Sequence, residues 1–180
     1  MTKRLTWMIM NKTWVMIVLF LLSIGSSLIA QDKPVATIYP KSVGYLSVVH
    51  PLITLDKNGI STNFKDYYIV GFPTGIHIYT NEKFGYSLEV VPFIKVINGT
   101  SKVYNILFHP GLIFRFPKKW TLYTRLAFET SGRYGFTPAI SKVVYKSKKS
   151  NVFLTLPIPL RFGNELAASA GIAILAGLTF

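Results

Sequence analysis

The sequence predicts an all-β fold: eight strands in an antiparallel up-and-down barrel, behind a cleaved N-terminal signal helix. Three observations predict it. After Gln31 almost no helical period survives. Instead, stretches of roughly 10 to 16 residues rich in Val, Ile, Phe, Tyr and Thr recur, separated by short links of Gly, Asn, Pro and charged residues. Within several stretches the side chains alternate between an apolar face and a polar one, the period of a strand.

The leader comes first. Lys3, Arg4 and Lys12 precede an apolar run from Trp14 to Leu22, and Ser23 to Ala30 is rich in small residues, the pattern of an export signal. The run is shorter than the ~20 residues a spanning helix needs, which favours cleavage over a retained anchor. The expected cut follows Ala30. Leu28 is larger than the small residue preferred three positions before the cut, so the site can slip, and Met8 or Met10 are alternative starts. This gives a signal peptide at 1–30, a periplasmic lead-in at 31–42 and the barrel at 43–180. The chain has no cysteine, which excludes a lipidated-cysteine anchor, a disulfide framework and a thiolate metal site.

The body of about 150 residues has a single-domain length. The whole chain carries a formal charge of +13, of which Lys3, Arg4 and Lys12 belong to the leader. Such a balance can signal nucleic acid. Here the basic residues sit scattered or in links such as Lys118-Lys119 and Lys146 to Ser150, and the chain is exported, so no nucleic-acid partner is expected. Anionic headgroups at a membrane surface attract such residues.

The strands follow in order. Val43 to Asp56 is rich in β-branched residues, though its two faces do not sort cleanly, and Lys57-Asn58-Gly59 ends it. Phe64 to Thr80 ends at Asn81-Glu82-Lys83. In Phe84 to Asn98, Tyr86, Leu88, Val90, Pro92, Ile94 and Val96 oppose Ser87, Glu89, Val91, Phe93 and Lys95. Asn98-Gly99-Thr100 matches a glycosylation pattern, but Asn-Gly between two strands is first of all a hairpin turn. Lys102 to Pro117 puts His109 on the same side as Asn105 and Arg115.

Trp120 to Ser131 is the clearest strand: Trp120, Leu122, Thr124, Leu126 and Phe128 oppose Thr121, Tyr123, Arg125, Ala127 and Glu129. After Gly132, Tyr134 to Lys146 again sorts poorly, with Lys142 on the apolar side. In Asn151 to Gly163, Val152, Leu154, Leu156, Ile158, Leu160 and Phe162 oppose Asn151, Thr155 and Arg161. Beyond Asn164-Glu165, Ala167 to Phe180 puts Ile172, Ile174, Ala176, Leu178 and Phe180 on one face. Prolines 73, 92, 110, 157 and 159 fall inside these strands, where each removes a ladder donor and marks an edge or a bulge.

Short links imply antiparallel neighbours. Which face lies inside follows from quantity. An eight-stranded interior is just wide enough for side chains, so it cannot hold the large residues of every strand. Facing them to lipid removes the overpacking and gives the apolar-out, polar-in dyad of a transmembrane barrel.

The exported leader, the all-strand body and Phe180 resemble the small eight-stranded outer-membrane barrels of the size of OmpX and the OmpA transmembrane domain. Gly71-Phe72-Pro73-Thr74-Gly75, Phe84 to Glu89, Val91-Pro92-Phe93 and Gly132 to Pro138 resemble uncharacterised outer-membrane barrel proteins of Bacteroidetes. The resemblance implies the outer membrane of a Gram-negative cell, outer-membrane lipid as surroundings, and Phe180 as part of the signal read by the barrel-assembly machinery. It brings no defined activity. The short links, with only Asp56 to Asp66 longer, argue against an adhesin.

No catalytic, metal or cofactor set emerges. His50, His77 and His109 lack the His-x-Ser pattern of the lipid deacylases and the spacing of a metal site. Glu89, Lys95, Arg115, Arg125, Glu129 and Arg161 fall on the expected inner face and are read as a salt-bridge network that fills the lumen. Tyr67, Tyr68, Tyr79, Trp120, Tyr123 and Tyr145 are expected in interfacial girdles. The expected function is a non-enzymatic outer-membrane barrel with a structural or surface-interaction role. The alternatives are a soluble periplasmic carrier of an apolar ligand, built as lipocalins are, and a lipid-modifying enzyme.

Overall fold

The computed structural model describes residues 38–163 and 166–180. The expected signal peptide and residues 31–37 of the lead-in lie outside them. Eleven strands form one antiparallel sheet: β1 (Lys41–Asp56), β2 (Gly59–Thr62), β3 (Tyr68–Gly71), β4 (Thr74–Tyr79), β5 (Phe84–Ile97), β6 (Thr100–Phe116), β7 (Trp120–Glu129), β8 (Tyr134–Lys146), β9 (Asn151–Pro157), β10 (Leu160–Phe162) and β11 (Ser169–Thr179). Among the described residues there is no α-helix, only a 3-10 turn at Pro117–Lys119.

Two expected strands are each divided, and proline is the reason. Phe64 to Thr80 becomes β3 and β4 on either side of Pro73, and Asn151 to Gly163 becomes β9 and β10 around Pro159. The chain keeps its course across both breaks, since β3 and β4 both pair with β5, and β9 and β10 both pair with β8. The short β2 lies within the expected link between Asp56 and Asp66. It folds back on the far end of β1, where Asp56 Oδ1 accepts the Asn58 N–H at 2.7 Å and Gly59 takes a φ of 109°. The β5–β6 hairpin turns on Asn98 (φ 48°) and Gly99 (φ 74°), the two left-handed residues that a type I′ turn requires.

The sheet returns to its start. β11 pairs antiparallel with β1 from Tyr45↔Thr179 to Asp56↔Ser169. Phe180 completes this seam by exchanging two backbone hydrogen bonds with Gly44, at 3.0 and 2.9 Å. Side chains on non-adjacent strands then meet across the enclosed face: Tyr45 of β1 lies 6.2 Å from Phe153 of β9 between ring centroids, and His77 of β4 lies 5.3 Å from Tyr123 of β7.

The alternation read in β5, β7, β9 and β11 appears as alternate burial. Leu88 and Leu126 are each 54% exposed, while their neighbours Glu89 and Arg125 are 2% and 5% exposed. Two bulges explain the strands whose faces did not sort. The β1–β11 register shifts between Pro51 and Ile53, and the β8–β9 register shifts between Val143 and Tyr145, so parity changes partway along β1 and β8.

The links define two rims. The start of β1 and the links β4–β5, β6–β7 and β8–β9 lie at the first. The links β5–β6, β7–β8 and β10–β11, together with β2, lie at the second.

Candidate functional site

The middle of the enclosed face is filled by polar side chains drawn from six strands. Glu89, on β5, is the hub. Tyr45 donates its hydroxyl proton to Glu89 Oε2 at 2.7 Å, His109 Nδ1 lies 2.8 Å from Oε1, and Arg125 Nη1 lies 3.4 Å from Oε2. Arg125 also donates through Nε and Nη2 to Ser87 Oγ at 3.2 and 3.1 Å, and through Nη2 to Tyr45 Oη at 3.4 Å. Its guanidinium stacks 4.3 Å from the Tyr123 ring centroid.

His109 connects this hub to a second one. Its Nε2 lies 2.9 Å from Thr137 Oγ1, which also accepts from Arg161 Nη1 at 2.9 Å. Arg161 Nε donates to Glu129 Oε1 at 2.7 Å, and Asn105 and Ser131 donate to Glu129 Oε2 at 2.7 and 3.0 Å. A proton on Nδ1 of His109, facing Glu89, lets Nε2 accept from Thr137 and satisfies every member. Two carboxylates face two guanidiniums, so the buried charges balance, the condition under which such groups persist away from water.

Burial of this network depends on small residues opposite the large ones. A Cβ on Gly75 would come within 2.3 Å of the Leu88 carbonyl oxygen and 2.6 Å of Tyr45 Oη, so glycine makes room for the tyrosine that reaches Glu89. Ala127, fully buried on β7, and Ser47 on β1 likewise keep the interior open to the longer side chains.

Of the six charges expected to form one lumen network, four do so, as the pairs Glu89–Arg125 and Glu129–Arg161. Lys95 and Arg115 do not join them. Lys95 packs near the second rim, its Nζ 4.6 Å from the Tyr67 ring centroid and 5.1 Å from that of Tyr104. Arg115 stands at the first rim, 4.9 Å from the Tyr79 ring centroid. Neither makes an ion pair among the described residues. Tyr45, His109, Ser87, Thr137 and Asn105 complete the network. The parity of His109 and Asn105 pointed inward, but nothing local in the sequence reveals which charges they meet.

Thr137, His109 and Glu89 stand in the order of nucleophile, base and orienting acid. Their surroundings oppose that use. All three are buried, Arg161 donates to the threonine oxygen, and Arg125 shares the carboxylate. His77 makes a 3.3 Å contact through Nδ1 with Tyr79 Oη, and its Nε2 is buried without a partner among the described residues. His50 lies against Tyr68, 3.1 Å from Nδ1 to the hydroxyl. The three histidines therefore do not converge, and no metal-binding cluster occurs among the described residues.

The expected aromatic girdle divides too. Trp120 and Tyr145 are exposed, and Lys142 lies against Trp120 with its Nζ 4.8 Å from the ring centroid, which accounts for a lysine on an otherwise apolar face. Tyr123 instead faces the interior, buried beside Arg125, and Tyr79 lies beside His77.

No family model matches the chain, and no curated protein does. Two solved structures are similar in part. One, from the de novo design of transmembrane β-barrels, has 7% identity and a TM-score of 0.47 over 81% of this chain and 98% of that one. The other, the solution structure of the de novo designed TMB2.3, has 8% identity and a TM-score of 0.44 over 77% of this chain and 91% of that one.

Proposed function

We propose that the chain is an integral outer-membrane β-barrel of eight staves, with a sealed lumen and a structural or surface-interaction role. With β3 and β4 taken as one stave, β9 and β10 as another, and β2 as an extension of the β1 hairpin, the circuit of pairings counts eight. The observation that carries the reading is the distribution of side chains. Leu, Ile, Val and Phe cover the outward face of strand after strand, while Glu89, Arg125, His109 and Arg161 are buried within. A soluble protein rarely exposes contiguous apolar surface beyond a few hundred Å². In lipid the same arrangement is favourable, because a closed ladder leaves no unpaired backbone edge. Strands such as β7 and β11, of 10 and 11 residues, have the length a tilted strand needs to cross.

In this reading residues 1–30 direct export, the first rim faces the periplasm, and the barrel-assembly machinery inserts the chain. The role is non-enzymatic: a base and hydroxyl enclosed as His109 and Thr137 are offer no substrate a path. The test is fractionation of cells expressing the full chain, with gel mobility before and after boiling. Recovery in the outer membrane with a heat-dependent shift supports the reading. Release by osmotic shock without detergent overturns it in favour of a soluble carrier. A changed lipid A mass spectrum on overexpression would overturn the non-enzymatic role.

A further inference from the structure

The two rims differ in charge. At the first rim the links carry Lys83, Lys118, Lys119, Lys148 and Lys149, and Glu82 is the one acid there among the described residues. The second rim mixes signs, with Asp56 beside Lys57, Asp66 beside Lys65, and Glu129 paired to Arg161. The enclosed face opens at the first rim into a cavity of about 510 Å³. Lys41, Arg115, Lys119 and Lys146 line it, together with Glu82. None of the four cations makes an ion pair among the described residues.

Four cations around one cavity repel one another unless an anion joins them. The volume lies in the range of small-molecule sites, about 300–1,000 Å³. Arg115 is the most organised of the four, because its guanidinium packs against the Tyr79 ring while its side chain still lines the cavity. A guanidinium held in this way presents a planar fork of donors that fits phosphate oxygens, and the lysines add charge without fixed geometry. Four positive groups against one carboxylate match a dianion better than a single carboxylate.

We propose that this first-rim cavity binds a phosphate-bearing ligand, with Arg115 as its principal contact and Lys41, Lys119 and Lys146 around it. The phosphate belongs either to a soluble phosphate ester or to the headgroup of an anionic phospholipid. The proposal rests on the lining of the cavity and stands whether or not the outward face meets lipid.

The experiment is calorimetric titration of the purified full chain, folded in a neutral detergent at physiological ionic strength, with sodium pyrophosphate. Native mass spectrometry after addition of phosphatidylglycerol or phosphatidylcholine runs beside it. Saturable pyrophosphate binding near one per chain supports a soluble ligand. Retention of phosphatidylglycerol over phosphatidylcholine, without pyrophosphate binding, supports a headgroup. In either case R115Q and K119Q are expected to weaken binding by about tenfold or more, the scale of one lost charge-assisted contact. K148Q/K149Q, whose lysines lie off the lining, is expected to change it by less than about twofold. Each variant is first shown to keep the gel mobility of the unboiled wild type. Failure of both probes to bind overturns the proposal, as does a loss in K148Q/K149Q as large as in R115Q, which would reveal diffuse attraction to the rim.

Discussion

Tyr45 and Glu89 stand 44 residues apart in the chain, yet the tyrosine hydroxyl donates to the carboxylate at 2.7 Å inside the enclosed face. The contact joins β1 to β5 across the narrow β4, whose Gly75 has no side chain to obstruct it. It places the hub of the polar network where three donors converge on one carboxylate.

Glu89→Gln keeps the shape of that hub and removes its charge, leaving Arg125 buried without a counter-charge. The expected loss is about 3–5 kcal/mol, read from the urea midpoint of the protein refolded into vesicles. Adding Arg125→Met should recover part of the loss, because the two positions share one interaction. Equal stability of Glu89→Gln and wild type would mean that the pair is solvated.

Gly75→Ala is expected to destabilise by about 1–3 kcal/mol, the usual cost of overpacking, since a Cβ there collides with the Leu88 carbonyl and Tyr45 Oη. Near-ultraviolet circular dichroism should register the displaced Tyr45. An unchanged spectrum and midpoint would show that the strand simply yields.

Leu126→Arg puts a charge on the outward face of β7, where Leu126 is 54% exposed. In a bilayer the cost is about 2–4 kcal/mol near the midplane. The fraction of chain reaching the heat-modifiable form in vesicles should fall accordingly. No change in folding yield or stability in lipid, with full solubility in buffer, would point to a water-facing surface.

Lys118→Gly should stabilise. Lys118 holds a φ of 58° in the β6–β7 link, a left-handed conformation that costs a side-chain-bearing residue about 1–2 kcal/mol. An unfolding free energy raised by up to roughly 1 kcal/mol is the expected result, the greater freedom of glycine in the unfolded chain offsetting part of the relief, and a lowered one would show that the lysine side chain has its own role in the link.

Planar bilayer recordings of the purified protein should show no unit conductance, because Arg125, Glu89, His109 and Arg161 occupy the middle of the lumen. Discrete steps would mean that this filling moves aside.

The strands were legible because their chemistry is local. Ser87 and Glu89 inward, Tyr86 and Leu88 outward, follow from a period of two and need no partner. Where the chain adds a residue the signal fails: the register shift after Pro51 hid the faces of β1, and the one after Val143 hid those of β8. The lumen site was legible only in part. Parity puts Arg125 and Arg161 inward, but their choice of Glu89 and Glu129 depends on register accumulated over several strands. Lys95 and Arg115 show the limit of parity, which gives a face without a depth: both lie toward the ends, where aromatic rings rather than carboxylates meet them.

The relay from Ser87 through Arg125, Glu89, His109, Thr137 and Arg161 to Glu129 crosses the interior, with contacts spanning up to 38 residues of sequence. Glu89 and His109 face each other within the β5–β6 hairpin, but Ser87 with Arg125, His109 with Thr137, and Glu129 with Arg161 join strands two apart and need a curled sheet. In lipid, a sheet still too flat would leave these ionised groups unpaired, so intermediate stages there are penalised and maturation tends toward a single concerted step. Contacts so remote in sequence also make that step slow. The interior chemistry thus acts as a checkpoint on curvature, rewarding only the sheet that has curled far enough to bring a strand against the next but one.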